Sequence, residues 1–139
     1  MSENIEKELQ LYSLIINTLD EGVSLTQADG LTIVYTNPAF ERMFGYSQNE
    51  LIGKNVAILN SPTDQDHEMT ANQIVGILKK TGKWQGEICN IKKDGTIFWC
   101  QAKISEFDHH EYGRVGISVN TDITELRKLS RNLREQQRS

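Results

Sequence analysis

KWQGEICNIKKDGTIFWCQAKISEF, residues Lys83 to Phe107, reads as two strands and the turn that joins them. Lys83 to Lys92 and Thr96 to Phe107 are the strands, and Lys93-Asp94-Gly95 is a short glycine-containing hairpin loop. A third strand is predicted from Arg114 to Thr121, after the polar stretch Asp108-His109-His110-Glu111. Side chains alternate across a strand, so Gly116, Ser118 and Asn120 share one face and Val115, Ile117 and Val119 share the other. The same parity adds Ile91, Ile97 and Trp99 to the greasy face, which a sheet cannot leave in water without cost.

Upstream, Val23 and Leu25 alternate with Ser24 and Thr26, Ala28-Asp29-Gly30 turns, and Thr32 to Thr36 returns as a second strand. Asn37-Pro38 ends this hairpin and opens a short helix over Ala39 to Phe44, which Gly45 closes. Ser47 and Glu50 have capping-box spacing, so a further helical turn is expected to carry Leu51 and Ile52 toward the core. A loop follows over Gly53 to Thr63. Asp64 or Asp66 can cap the next helix, which puts Met69, Ile74, Ile77 and Leu78 on or near one face before Thr81-Gly82 ends it.

At the start of the chain, Ile5, Leu9, Tyr12, Ile16 and Leu19 recur at spacings of four and three, a heptad seam. Leu11, Leu14 and Ile15 widen it, so this helix must pack on the domain, on a second copy, or on both. Asp122 or Thr124 can cap a last helix with an apolar edge of Leu126, Leu129 and Leu133 and a solvated side of Arg127, Lys128, Arg131 and Arg134. The expected class is α+β: a five-stranded antiparallel sheet with short helices on one face, flanked by N- and C-terminal helices. The expected division is a helix over 1–20, a core over 21–122 and a signalling helix or linker over 123–139.

With 139 residues there is room for one core, and 37% hydrophobic residues suffice to fill it. A net charge of −4 gives no electrostatic source for attraction to nucleic acid or to anionic membrane. No apolar run reaches membrane-spanning length and MSENIEKELQ does not resemble a secretory signal, so a cytoplasmic location without membrane insertion is expected. Cys89 and Cys100 have no CxxC spacing.

The segments IVYTNPAFERMFGYSQNELIGKN (Ile33 to Asn55), NIKKDGTIFW (Asn90 to Trp99) and NTDITE (Asn120 to Glu125) resemble the PAS (Per-ARNT-Sim) family over about residues 20 to 125. The resemblance implies a sheet cupping a pocket under short helices, in a sensory and dimerisation module of a larger signalling protein such as a histidine kinase. The chain itself carries no nucleophile with a base, no P-loop and no dinucleotide glycines, so it is not expected to be an enzyme, while its parent protein can be a kinase. Its last residues, LSRNLREQQRS, read as a piece of a longer protein with an effector domain downstream.

The wording is closest to the flavin-binding light-oxygen-voltage branch and its redox-sensing relatives. In that branch, side-chain amides at the positions of Asn90 and Asn120 pair with the ring edge of FMN or FAD, for which an amide supplies both donor and acceptor. The alternative is that the two asparagines satisfy each other or nearby backbone. Phe98 belongs to the same F-W element. Where the light sensors read G-x-N-C-R-F-L-Q, this chain has Gly53-Lys54-Asn55-Val56-Ala57-Ile58-Leu59-Asn60. Val56 therefore stands in place of the photoactive cysteine and Ala57 in place of the phosphate-holding arginine. Cys100 replaces the second asparagine of F-W-N, and Lys54 remains as a donor for a flavin phosphate, so redox sensing is favoured over light sensing.

Haem is the runner-up cofactor through His67, near the start of the long helix, against a solvated histidine among acids. Cys89 and Cys100 read as two small hydrophobes on opposite sides of the sheet, and His109-His110 as a solvated loop. The competing function is a ligand-free dimerisation module in which Phe40, Phe44, Ile58, Leu78, Phe98 and Ile104 fill the pocket as core. A homodimer through the N-terminal helix and the outer sheet face, with signal leaving by the C-terminal helix, completes the expectation.

Overall fold

The computed structural model describes residues 2–61 and 67–138, with side chains over 6–61 and 73–137. Its order is α1 (Ser2–Thr18), β1 (Gly22–Gln27), β2 (Ile33–Thr36), α2 (Pro38–Phe44), a 3-10 turn (Val56–Leu59), α3 (His67–Thr81), β3 (Lys83–Ile91), β4 (Ile97–His109), β5 (Gly113–Asp122) and α4 (Thr124–Arg138). The strands form one antiparallel sheet in the order β2-β1-β5-β4-β3. The expected α+β architecture, with helices at both ends, is the one observed.

Register fixes the two faces. Ile88 lies opposite Cys100, Ala102 opposite Asn120 and Ser118 opposite Ser24, so these line the concave side. Cys89 lies opposite Trp99 and Val115 opposite Phe107, on the convex side. The two cysteines thus face away from each other, as the pleat requires.

The helices on the concave side are held by local chemistry. Asn37 caps α2, with its Oδ1 accepting from Phe40 N–H at 2.9 Å, and Pro38 supplies the first turn. Gly45 ends α2 at φ +79°, a left-handed conformation in which it donates to Glu41 O at 2.8 Å. The β3–β4 loop docks on this end: Lys93 N–H donates to Phe44 O at 2.9 Å and Lys93 Nζ meets Glu50 at 2.6 Å. The Glu50 carboxyl is held below the usual carboxylate range, first by that lysine bond and then by Ser47 N–H.

Two local expectations are corrected. Ser47 N–H does meet Glu50 Oε1 at 2.9 Å, but Asn49 takes φ +63° and breaks the turn, so Leu51 is buried while Ile52 is exposed. The loop from Gly53 contains the Val56–Leu59 turn, capped by Asn55, which leaves Leu59 buried and Ile58 exposed. Ile58 is therefore not a core filler, and Ile77 on α3 is likewise exposed. The side chain of Met69 and the caps Asp64 and Asp66 lie outside the described residues.

The core is a cluster of Ile33, Phe40, Phe44, Leu51, Leu59, Phe98 and Cys100. Phe44 is its centre, stacked on Phe40 at 4.4 Å and edge-on to Phe98 at 5.0 Å between ring centroids. Within one chain α1 does not cover the convex face. It is fastened by its last turn, where Ile16 O accepts from Asn37 Nδ2, and Leu9, Tyr12, Leu14 and Ile15 are exposed.

Candidate functional site

Between the concave face and the helices the side chains leave a cavity of ≈ 200 Å³. Its ceiling is apolar: Phe40 and Phe44 from α2, Val56 and Leu59 from the 3-10 turn, Ile74 and Leu78 from α3. Its floor is polar where β1 and β5 meet, with Ser24, Thr26, Ser118 and Asn120 alongside Gly116. The segment after β2 straps the cavity, bridging Thr32 to Asn55 at one end and Asn60 to Asn90 at the other.

Of the residues singled out in the sequence, Asn60, Asn90, Asn120 and Val56 line this cavity. Asn120 is 5% exposed; its Nδ2 donates to Ser118 Oγ at 3.0 Å and to Gly22 O at 3.3 Å. The two asparagines do not satisfy each other. Asn90 instead lies beside the Cys100 thiol, which its amide reaches.

Phe98 and Cys100 sit in the core cluster next to the cavity wall. Asn55 is occupied locally, accepting from Ala57 N–H at 2.8 Å and donating to Gly30 O at 3.3 Å. Lys54 is exposed and does not line the cavity. The side chain of His67, at the first residue of α3, lies outside the described residues. His109 is turned to its own loop, with Nδ1 accepting from Glu111 N–H at 3.1 Å and Tyr112 N–H at 3.3 Å.

Sequence reasoning missed Ser24, Thr26 and Glu106 as wall residues. The signal was the alternation of Ser24 and Thr26 with Val23 and Leu25, which places them in the cavity only once β1 is paired to β5. Glu106, opposite Gly116, is the one carboxylate among the described lining residues, and Arg114 Nε holds it at 3.3 Å.

Cys100 is fully buried, with Sγ 3.7 Å from Met43 Sδ. Burial pushes its thiol up to about 12 from 9.0, against a smaller opposing pull from Asn90. Folding therefore favours the protonated thiol, whose contribution is intact below pH 9 and lost as the unfolded chain ionises first. Relative to Cys100→Ala, the protein is expected to lose about 1.4 kcal/mol between pH 8 and 10 in urea unfolding. Parallel pH profiles for the two proteins would show that the thiol is solvated.

A family model described as the PAS fold matches residues 10–121. The chain belongs to the PAS family. A PAS domain protein from Colwellia psychrerythraea, known as a crystal structure, is 29% identical with a TM-score of 0.74, covering 84% of this chain and 98% of that one. A blue-light-activated histidine kinase of Brucella ovis is 32% identical over 100 residues, covering 71% of this chain and 20% of the kinase. The bacterioopsin transcriptional activator of Halobacterium salinarum is 24% identical over 139 residues, covering 97% of this chain and 20% of the activator. The chain thus spans about a fifth of the length of these two relatives. PAS modules are sensory rather than catalytic, and this one is of the kind found in histidine kinases and transcriptional activators. Among the described residues no helix of this PAS domain is long and apolar enough to cross a membrane.

Proposed function

We propose that this PAS domain is the sensory input of a larger signalling chain, a histidine kinase or a regulator of similar build, and that it holds a small molecule in the cavity under α2 and α3. The observation that carries this reading is the joint between the cavity wall and α4. Trp99 follows Phe98 of the core and is tied to the root of α4 on three sides. Its N–H donates to Thr124 Oγ1 at 3.0 Å, its carbonyl accepts from Ile123 N–H at 2.9 Å, and its ring lies 3.8 Å from the Arg127 guanidinium. Arg127 in turn pairs with Glu87 on β3. A ligand that moves Phe98 or the floor of β5 moves the start of α4. It shifts the balance of arrangements by as much as it binds one better than another.

Beyond that root α4 presents Leu126, Leu129 and Leu133 to solvent, and α1 presents Leu9, Tyr12 and Leu14. Ile117 and Val119 on the convex face are half-buried. A second copy covering these seams is the homodimer of this reading, and sedimentation at tens of micromolar, a range suited to weak association, would show it as a two-chain species.

A flavin mononucleotide does not fit the residues present. Val56 lines the cavity where the light-sensing branch has its cysteine, no lysine or arginine is among the described lining residues, and residues 62–72 contain neither. The ligand-free alternative needs the pocket filled by side chains, whereas Ile58 is exposed and Leu78 and Ile104 border open volume. Heat denaturation of the purified chain, followed by mass spectrometry of what is released, tests the reading. A stoichiometric small molecule is expected; a supernatant empty across repeated preparations would favour the dimerisation module.

A further inference from the structure

The polar floor of the cavity has hydrogen-bonding groups that the protein leaves unused. Ser24 lines the cavity and its Oγ makes no hydrogen bond among the described residues, so the hydroxyl opens onto the cavity space. Asn120 commits its nitrogen to Gly22 and Ser118, which leaves Oδ1 as an acceptor. Among the described residues the side-chain amide of Asn60 makes no hydrogen bond, and that of Asn90 meets only a thiol. No enclosed side-chain nitrogen or oxygen among the described residues lacks a partner, so these groups open onto the cavity, and their concentration on one wall marks the contact line of a ligand. Because Asn120 offers only an acceptor there, the ligand must bring an N–H or O–H.

Charge and size narrow the class. Glu106 is the one acidic side chain of the described wall, and Arg114 already pairs with it from outside. An anion placed on the floor would meet no lysine or arginine among the described lining residues and would lose its hydration uncompensated. The volume of ≈ 200 Å³ lies below the ~300–1,000 Å³ of sites for drug-sized ligands. The ceiling of phenylalanine rings and aliphatic side chains suits a single apolar ring.

We propose that the cavity selects an uncharged ring compound with one head group that both donates and accepts hydrogen bonds, read by Ser24 and Asn120, and that it rejects carboxylates and phosphates. This rests on the sensory reading above and goes further by naming the ligand's chemistry. Gly116 gives the means to test it. It lies on the same floor without a left-handed backbone, and a Cβ there would meet Ile104 Cγ2 at 3.6 Å and Glu106 Cγ at 3.8 Å, ordinary contacts. A larger side chain at this position fills the cavity without straining the strand.

The probes are benzamide, its isosteric anion benzoate, toluene and flavin mononucleotide, titrated into the ¹⁵N-labelled 139-residue chain after mild unfolding and refolding to remove any bound compound. Benzamide is expected to shift the amide signals of Gly116 and Asn120 saturably, with benzoate and toluene at least about tenfold weaker and flavin mononucleotide silent. Ser24→Ala should weaken benzamide about fivefold. Gly116→Val should abolish its binding while the spectrum stays dispersed; if that variant fails to fold, Gly116→Ala is expected to weaken benzamide instead. Benzoate or flavin mononucleotide binding as tightly as benzamide would overturn the selectivity and leave the sensory reading standing. Silence from all four probes, with nothing released on heating, would overturn both. Undiminished benzamide binding by folded Gly116→Val would place the ligand elsewhere and overturn the proposal.

Discussion

Asn37→Ala is expected to lower the free energy of unfolding by about 2–4 kcal/mol, with the urea midpoint falling and the slope unchanged. Asn37 is fully buried and uses its whole amide. Its Oδ1 accepts from Val23 N–H and Phe40 N–H, both at 2.9 Å, and its Nδ2 donates to Ile16 O at 3.0 Å and Glu21 O at 3.1 Å. One side chain therefore caps α2, anchors β1 and fastens the end of α1. Alanine leaves two buried N–H groups and two carbonyls without their partner, and each unmet buried group costs about 1–3 kcal/mol before relaxation. Asn37→Asp separates the roles. It keeps both acceptor bonds but sets an oxygen against the carbonyls of Ile16 and Glu21, so amide exchange should rise in the last turn of α1 while Phe40 stays protected. A loss under about 1 kcal/mol in Asn37→Ala would mean that water replaces the amide and that the site is not the joint described.

That joint shows what a sequence discloses and what it withholds. Asn37-Pro38 and Gly45 were legible because a cap, a fixed φ and a left-handed residue act within one turn of chain. The β3–β4 hairpin was legible for the same reason, since its turn residues set the register of Asn90 against Phe98. Asn37's bonds to Val23 and Ile16 were not legible, because they join groups 14 and 21 positions apart.

The cavity wall followed the same rule. Asn90 and Asn120 could be placed from strand parity and family resemblance. Ser24 gained meaning only when β1 paired with β5, a contact spanning most of the chain. Lys54 and Asn55 went the other way: their segment resembles a ligand-binding one, but an Asn cap on a short 3-10 turn directs Asn55 to its own loop. The exposed seams of α1 and α4 were plain as patterns. Pattern alone says that a face is greasy and leaves open which surface covers it.

Phe44→Ala should be the most damaging single truncation in the core, and the loss should be partly reversible by a ligand. Phe44 is 2% exposed and touches both neighbouring rings, so removing it is expected to cost about 3–5 kcal/mol. Leu51→Ala, fully buried in the same cluster, should cost a similar ~2–5 kcal/mol. The two differ in what lies beside them. Phe44 lines the cavity and Leu51 does not, so the space vacated by the Phe44 ring joins a volume that already exists. Engineered apolar cavities take up benzene, and a ligand that binds only the folded state raises stability in proportion to the logarithm of its concentration over Kd. Benzene at a fixed, saturating concentration should therefore raise the thermal midpoint of Phe44→Ala more than that of the wild type or of Leu51→Ala. An equal rise in all three would mean that Phe40 and Phe98 have collapsed into the gap, and the measured loss would then fall at the low end of the range. If the rise is specific to Phe44→Ala, the ring that closes the core is also the ring that bounds the ligand space. A signal that begins with occupancy of that space then has only one side chain to cross before it reaches Phe98, and one peptide bond more before it reaches Trp99 and the root of α4.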